Sequence, residues 1–181
     1  MKYDQTIITP KGLTVHIRNG VASDGSTVLE NFNLTHAETD YLLSYPDENH
    51  FDSEQESRYL ERKAASPNEI ELIAFVNGKV AGTAGIEAIG AHYKVAHRAE
   101  FGISILKDYW GLGIGRALME ACIQCARTAG YAQLELDVVA ENAKAISMYQ
   151  TAGFVEYGRN PKGFRSRNAG FQELISMRLE L

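Results

Sequence analysis

The sequence has few cysteines, no long apolar run and no low-complexity tract. Only two of its 181 residues are cysteines, so a disulfide framework does not support the fold. No apolar run approaches the roughly 20 residues that a membrane-spanning helix needs. The first twelve residues, MKYDQTIITPKG, contain no apolar stretch of the kind that directs secretion. We therefore expect a cytoplasmic protein without a membrane partner.

Several signatures of catalysis, metal binding and nucleic-acid binding are also missing. The five histidines, at positions 16, 36, 50, 92 and 97, do not have metal-ligand spacing, so no metal is predicted. A G-x-S-x-G motif is absent. Cys122 and Cys125 form a C-x-x-C, but they lie on an apolar helical stripe, which predicts core packing rather than redox or zinc chemistry. The net charge of −5 disfavours a nucleic-acid partner, because phosphate binding needs a basic face.

Without repeats or linkers, residues 1–181 are predicted to form a single domain. In the first half, Asn77-Gly78 lies between two apolar runs and predicts a tight hairpin, since a type I′ turn needs positive φ at both central residues. The other predicted elements of this half are a strand at 11–21, helices at 36–44 and 53–66, hairpin strands at 70–76 and 79–88, and an alternating strand at 98–105.

The second half alternates between helices and strands. Apolar residues from Ile114 onward have helical spacing, and Gly130 is a plausible stop. Asn142 is positioned to cap a second helix that ends at Gly153. Strands are predicted at 133–139, 154–158 and 173–180, with a long loop at 158–171. The order β-αα-βββ-α-β-α-ββ predicts a mixed α/β (α+β) fold with a mostly antiparallel sheet.

A glycine-rich turn, Gly111-Leu-Gly113-Ile-Gly115, connects the 98–105 strand to the first of these helices. Unpaired amides and the positive end of the helix dipole favour a phosphate or pyrophosphate there. A Walker A loop is excluded because Arg116-Ala117 replaces Lys-Ser/Thr. A dinucleotide fingerprint is excluded because neither register supplies its third glycine, although Asp137 has the spacing of a ribose-binding acid.

The segment Trp110–Gly115 resembles the cofactor loop of the GCN5-related N-acetyltransferases, whose pattern is Gln/Arg-x-x-Gly-x-Gly/Ala. Residues 134–154 also resemble the strand and helix that follow in that family, in which an Asn, a Tyr seven residues later and a Gly-Phe recur. Asn142, Tyr149 and Gly153-Phe154 occupy those positions. Trp110 departs from the family, since it stands where Gln or Arg is usual.

The resemblance implies an acetyl-CoA-dependent N-acetyltransferase with the sheet of that family. By resemblance, the edge formed by Ile103, Ser104 and Ile105 would pair with the pantetheine arm. Asn142 and Lys144 would lie near the arm and the phosphates. The loop residues implied in pyrophosphate binding are Gly111, Leu112, Gly113, Ile114, Gly115 and Arg116.

The resemblance also implies two catalytic side chains. Tyr149 matches the usual general acid and would also contact the cofactor. It is protonated at neutral pH, because a phenol has a pKa near about 10. Glu100, on the polar face of its strand, is the first candidate for the general base. Glu87 is the second, and an amine of low pKa would need neither.

The acceptor is predicted to be a small-molecule amine. It is expected to be cationic if the acids of residues 38–61 flank the site. These acids are Glu38, Asp40, Asp47, Glu48, Asp52, Glu54, Glu56 and Glu61. The basic loop at 158–171 carries Arg159, Lys162, Arg165 and Arg167. It could contact an acidic group of the substrate, a phosphate of the cofactor or a second subunit of a homodimer. A protein or peptide N-terminal or lysine acetyltransferase and a non-catalytic acyl-CoA-binding module remain alternatives.

Overall fold

An eight-stranded mixed sheet forms the centre of the protein. The computed structural model describes residues 1–181. The strands are β1 Asp4–Ile8, β2 Thr14–Asn19, β3 Ile70–Val76, β4 Lys79–Ala88, β5 Arg98–Ile105, β6 Gln133–Val139, β7 Val155–Ser166 and β8 Gly170–Glu180. The helices are α1 Gly25–Glu38, α2 Ser53–Ala65, α3 Ile114–Thr128 and α4 Ala143–Thr151. The sheet order is β1-β2-β3-β4-β5-β6-β8-β7, in which only the β5–β6 pair is parallel.

The helices cover both faces of the sheet. The main core joins α3 and Tyr149 of α4 to apolar side chains such as Ala99 and Phe101 of β5. A smaller cluster on the other face joins α1 and α2 to the sheet through Val28, Leu60, Ile73 and Val80. Because strand side chains alternate, Glu100 faces away from α3 and toward the side covered by α1 and α2.

The predicted fold class is confirmed, and several local predictions hold. Asn77 and Gly78 have φ values of +50° and +76°, as a type I′ turn requires. The helix from Ile114 ends before Gly130, whose φ is +82°. Cys122 and Cys125 are free and buried in the core. No helix has the length and apolarity needed to cross a bilayer.

The N-terminal third differs from the prediction. An additional strand, β1, pairs with β2 from Asp4↔Arg18 to Ile8↔Thr14. The helix predicted at 36–44 is wrong, since α1 spans Gly25–Glu38. Its buried side chains include the polar Asn31, Thr35 and His36, so a hydrophobic stripe does not mark it. α1 packs against α2 and β4, and this packing stabilises the helix in place of a hydrophobic stripe.

The predicted loop at 158–171 is also wrong. These residues continue β7 and β8 into one long hairpin, with pairs as far out as Ser166↔Gly170. Both faces of outer β7 are largely exposed, so its side chains are polar and do not alternate with apolar ones. The period that marks a half-buried strand is therefore missing from the sequence.

Candidate active site

Strands β5 and β6 separate near the middle of the sheet. Their pairing covers only Arg98↔Gln133 to Glu100↔Glu135, whereas β5 continues to Ile105 and β6 to Val139. Each strand keeps its outer neighbour, β4 or β8, over this stretch. The second half of β5 therefore presents an unpaired backbone edge to a gap in the sheet.

The pairing with β4 decides which residues face this gap. The N–H of Leu106 donates to Ala81 O at 3.0 Å, and the N–H of Ile89 donates to Arg98 O at 3.2 Å. Backbone groups alternate along a strand, so even-numbered residues of β5, including Ser104, turn toward β4. Ile103 and Ile105 turn toward the gap.

Trp110 ties the glycine turn to this edge. Its indole Nε1–H donates to the Ile105 carbonyl at 2.7 Å, while the Lys107 Nζ lies 5.8 Å from the centre of its ring. The Ile105 carbonyl therefore already has a donor, whereas the Ile105 N–H and both backbone groups of Ile103 face the gap. The sequence motif does not reveal this bond, because the residue usual at this position is not Trp.

The glycine turn itself offers a row of free donors. The backbone N–H groups of residues 111–116 have no backbone acceptor, and the first intrahelical bond runs from Ala117 N–H to Gly113 O at 3.2 Å. Gly111 and Gly113 have φ values of +74° and +91°, which suit glycine. The free amides and the α3 dipole together form a strong site for an anion. Arg116 is turned away to Glu120, at 2.8 Å.

Helix α4 lies beside the turn. Asn142 caps it, accepting the Ala145 N–H at 3.3 Å on its side-chain oxygen. A Cβ on Gly115 would lie 3.3 Å from the sulfur of Met148, so glycine permits close approach of α3 and α4. Lys144 and Arg116 line an open groove of about 540 Å³ between the two helices.

Tyr149 points into the core beside the gap. Its ring packs edge-on against Phe101, with centroids 6.2 Å apart, and against Phe154 at 5.8 Å. Burial raises the pKa of the Tyr149 phenol above its ordinary range, and no hydrogen bond opposes this shift. Tyr149 and Glu100 thus lie on opposite faces of the sheet, and the gap between β5 and β6 joins the two faces.

Glu100 belongs to a row of carboxylates on the α1–α2 face. Glu87 is its cross-strand partner on β4, and Glu135 and Asp137 follow on β6. Burial raises the pKa of Glu100, and the charges of Asp137, Glu87 and Glu135 raise it further. The sheet surface next to Glu100 is not covered by other side chains, since a Cβ on Gly102 would meet no atom within 4 Å.

The neighbours of Glu100 are engaged with other groups. Arg98 holds Glu135 (Nη2 to Oε2, 2.7 Å), and the Ser176 hydroxyl donates to Asp137 at 2.6 Å. Asp137, which has the sequence spacing of a ribose-binding acid, thus lies on this polar face of the sheet. Lys63 of α2, which sequence reasoning missed, binds Glu87 at 2.6 Å.

A strap crosses the open end of the gap. On the β5 side, the Lys107 N–H donates to Glu38 at 2.7 Å. On the β8 side, the Ser166 hydroxyl donates to the Asp40 carboxylate, and the Gln172 side-chain amide donates to the Asp40 carbonyl at 3.2 Å. The strap, residues 38–48, therefore connects the two margins of the gap.

Arg167 fastens the same strap to the tip of the β7–β8 hairpin. Its guanidinium binds Asp47 at 2.8 Å and lies 4.1 Å from the centre of the Tyr45 ring. Its backbone N–H donates to the Tyr45 hydroxyl at 2.9 Å. Part of the acidic segment and part of the basic segment thus neutralise one another, a pairing that spacing in the sequence did not indicate.

Comparison with known proteins gives consistent matches. Residues 34–154 match the family model described as the Acetyltransferase (GNAT) family. The L-amino acid N-acetyltransferase AaaT of Escherichia coli is 30% identical over 118 residues, which are 65% of this chain and 72% of that protein. The ribosomal protein bS18-alanine N-acetyltransferase of Escherichia coli is 45% identical over 56 residues, only 31% of this chain and 38% of that protein.

Solved structures match over nearly the whole chain. An acetyltransferase of the GNAT family from Streptococcus pneumoniae superposes with a TM-score of 0.88 at 32% identity, covering 92% of this chain and 99% of that one. The structure of yncA from Salmonella typhimurium, which holds its cofactor acetyl-CoA, has a TM-score of 0.80 at 21% identity and covers 92% and 94%. The second likeness concerns the fold alone.

Proposed function

Since this chain belongs to the GNAT family of acetyltransferases, we propose that it transfers the acetyl group of acetyl-CoA directly to the primary amine of a small molecule. Acetyl-CoA-dependent N-acetyl transfer is the activity of the family, and the acceptor and the residue roles are the proposal. One observation carries it: an unpaired strand edge and a row of free amides meet at the same gap in the sheet.

The two halves of this site suit two parts of coenzyme A. The amides of residues 111–116 would hold the pyrophosphate, and the free backbone groups of Ile103 and Ile105 would pair with the amides of the pantetheine arm. Lys144 lies in the groove beside the loop, where a further phosphate would find a cation. The Asn142 side-chain oxygen is occupied by the cap of α4, so only its amide nitrogen is free to contact the arm.

Acetyl-CoA supplies a thioester whose acyl carbon accepts the amine. Glu100, without a hydrogen-bond partner on the face opposite Tyr149, would take one proton from the ammonium form and leave a neutral nucleophile. The N–C bond then forms as the C–S bond breaks. The second amine proton ends on the sulfur, near which the Tyr149 hydroxyl would donate a hydrogen bond. Binding both substrates at one gap supplies proximity, so an acyl-enzyme is not required.

The strap favours a small acceptor. It connects the margins of the gap on the face that carries Glu100, so the acceptor would approach beneath it rather than along an open groove. Negative charge would also help to attract a cationic acceptor. The acids of residues 38–61 contribute less to this attraction than their number suggests, because Asp47 is already paired with Arg167. Attraction for a cation would rest mainly on Glu100 and Asp137, which face no cation.

Acetylation of a protein or peptide is the second candidate, because one relative is named a ribosomal protein bS18-alanine N-acetyltransferase and matches part of this chain at 45% identity. The purified chain, with acetyl-CoA, would be assayed against the L-amino acids, spermidine and a peptide with a free N-terminal alanine. We expect a small amine to have the highest kcat/KM. Faster turnover of the peptide would make protein acetylation the first candidate. Binding of CoA without turnover of any amine would indicate a non-catalytic acyl-CoA-binding module. Homodimer formation, a cytoplasmic location and the single domain stay predictions.

A further inference from the structure

Lys63 is a buried cation beneath the proposed acceptor face. Its side chain is 1% exposed, and its Nζ lies 2.6 Å from Glu87 Oε1 and 3.4 Å from Glu69 Oε2. A buried ammonium is stable only when it is paired. Glu87, by contrast, is 55% exposed on the side of the sheet where Glu100 lies. The ion pair thus extends from the interior of the protein to the face of the site.

Glu87 and Glu100 are directly opposite each other on β4 and β5. Opposite residues on one face have Cβ atoms about 5 Å apart, so two ionised carboxylates here repel each other. Their environments differ. The Glu87 carboxylate pairs with the Lys63 ammonium and accepts a hydrogen bond from the Tyr59 hydroxyl at 3.2 Å. No hydrogen bond stabilises the ionised form of Glu100.

We propose that Lys63, acting through Glu87, is a positioning residue that decides which carboxyl of the Glu87–Glu100 pair carries the proton. The cation keeps Glu87 ionised, and the ionised Glu87 makes Glu100 the better proton acceptor. This inference rests on the proposed role of Glu100 as the base. It assigns to a buried lysine of α2 a part in the reaction that takes place on β5.

The directions of the pKa shifts agree with this geometry. Burial acts to raise the pKa of Glu87, but the hydrogen bond and charge of Lys63 bring it below its usual range. The pKa of Glu100 is raised by burial and by its carboxylate neighbours. The titratable and charged groups around the pair are Tyr59, Arg62 and Lys63 of α2, Glu69 beside Lys63, Glu71 of β3, Arg98 of β5, Glu135 and Asp137 of β6, and Tyr157 of β7.

Two substitutions should change the titration of Glu100. Lys63→Met removes the cation that keeps Glu87 ionised, so the two carboxyls share the proton. The Glu100 signal should then titrate in two steps, of which the second, the release of the last proton of the pair, lies at higher pH. Glu87→Gln removes the repelling charge, so Glu100 releases its proton at lower pH. The measurement is a carboxyl ¹³C NMR titration of the full chain, with the Glu100 signal assigned by its loss in Glu100→Gln. Lys79→Met, an exposed lysine at the start of β4, is the matched control and should leave the midpoint in place.

A merely structural role for Lys63 would lower the thermal midpoint and leave the Glu100 titration unchanged, which would overturn the proposal. If Lys63→Met does not fold, Glu87→Gln decides, because the Glu87 side chain is half-exposed and Glu69, at 3.4 Å, still pairs with the buried Lys63. If the titration midpoint of Glu100 stays unchanged or rises in Glu87→Gln, the proposal would also be overturned.

Kinetics separate this inference from the proposed function. With the fastest amine of the panel above, kcat/KM at the acid end of the pH profile should rise in both Glu87→Gln and Lys63→Met, because each variant removes the negative charge that holds the proton on Glu100. If Glu100→Gln leaves rate and profile unchanged, the assignment of the base is wrong and this inference is overturned with it. If Glu100→Gln removes the acid limb while the other two variants do not move it, only the inference is overturned.

Discussion

At the scale of single residues, Tyr149 has a side chain that keeps its proton. Burial beside Phe101 and Phe154 raises the pKa of its phenol. A thiol has a pKa near about 8.5, so complete proton transfer from this phenol to a departing thiolate is unfavourable. We therefore expect the hydroxyl to stabilise the sulfur as a hydrogen-bond donor, which differs from the general acid that the family resemblance implied.

Tyr149→Phe tests this role. We expect kcat to fall about a hundredfold, as when one donor to a developing charge is removed, with the Kd for acetyl-CoA nearly unchanged. Steady-state kinetics and calorimetry measure the two quantities. Tyr131→Phe, another buried tyrosine of the core, is the control. An unchanged kcat in Tyr149→Phe would remove the hydroxyl from the mechanism.

Trp110 gives a second prediction at this scale. Trp110→Phe keeps an aromatic ring but loses the bond to the Ile105 carbonyl, so the loop is held less firmly against β5. A hydrogen bond contributes about 1 kcal/mol, so the Kd for acetyl-CoA should rise about fivefold by calorimetry. Since Trp110 is the only tryptophan, its fluorescence in the unaltered chain should also change when acetyl-CoA binds. An unchanged Kd would show that the bond does not position the loop.

At the scale of elements, the turn before α3 is tested by charge alone. Gly111 has a φ of +74° and free space around it, and Asn and Asp tolerate that conformation better than other side chains. Gly111→Asp should therefore raise the Kd for acetyl-CoA at least about tenfold more than Gly111→Asn, and added salt should narrow the difference. Equal Kd values for the two variants would place the pyrophosphate elsewhere.

The strap between α1 and the β7–β8 hairpin is the second element to test. Arg167→Ala removes the ion pair with Asp47 and the stacking on Tyr45, and both are exposed enough to contribute little to stability. We expect a nearly unchanged thermal midpoint but a higher ratio of peptide to amino-acid kcat/KM. Arg167→Lys, which keeps the charge without the planar fork, should give an intermediate ratio. A ratio that does not change would mean that the strap does not limit acceptor size.

At the scale of the whole molecule, one buried carboxyl makes stability depend on pH. Burial raises the pKa of Glu71 on β3 to about 7, and the charges of Glu56 and Glu87 add to the shift while a Thr83 hydrogen bond and Lys63 oppose it. Above the unfolded pKa of 4.5 the folded chain holds the proton more tightly than the unfolded chain. Stability is therefore lost as the pH rises from that value to about 7.

Glu71→Gln removes this dependence. The thermal midpoint of the variant should exceed that of the unaltered chain more at pH 8 than at pH 5, because only at pH 8 must the native carboxyl ionise in its buried position. Scanning calorimetry at both pH values measures the difference. Glu61→Gln, at an exposed position of α2, is the control and should change both midpoints little. A larger gain at pH 5 would contradict the assigned shift.

Local patterns predicted most of the elements. Asn77-Gly78, the apolar stripe from Ile114 and the cap at Asn142 each depend on residues within a few positions of one another. The fold class and the glycine turn before α3 could be recognised for the same reason. The bounds of α1 and the long β7–β8 hairpin could not, because buried polar residues and an exposed edge strand carry no hydrophobic period.

The sequence by itself determined where the chain turns, where α3 begins and which residues of the cofactor loop lack side chains. Only the tertiary structure decided that β5 and β6 part after Glu100, that Trp110 holds Ile105, and that Lys63 reaches Glu87. The physical reason is range. Turns and helix starts depend on neighbours along the chain, whereas the protonation of a carboxylate depends on charges that packing brings near it from distant elements.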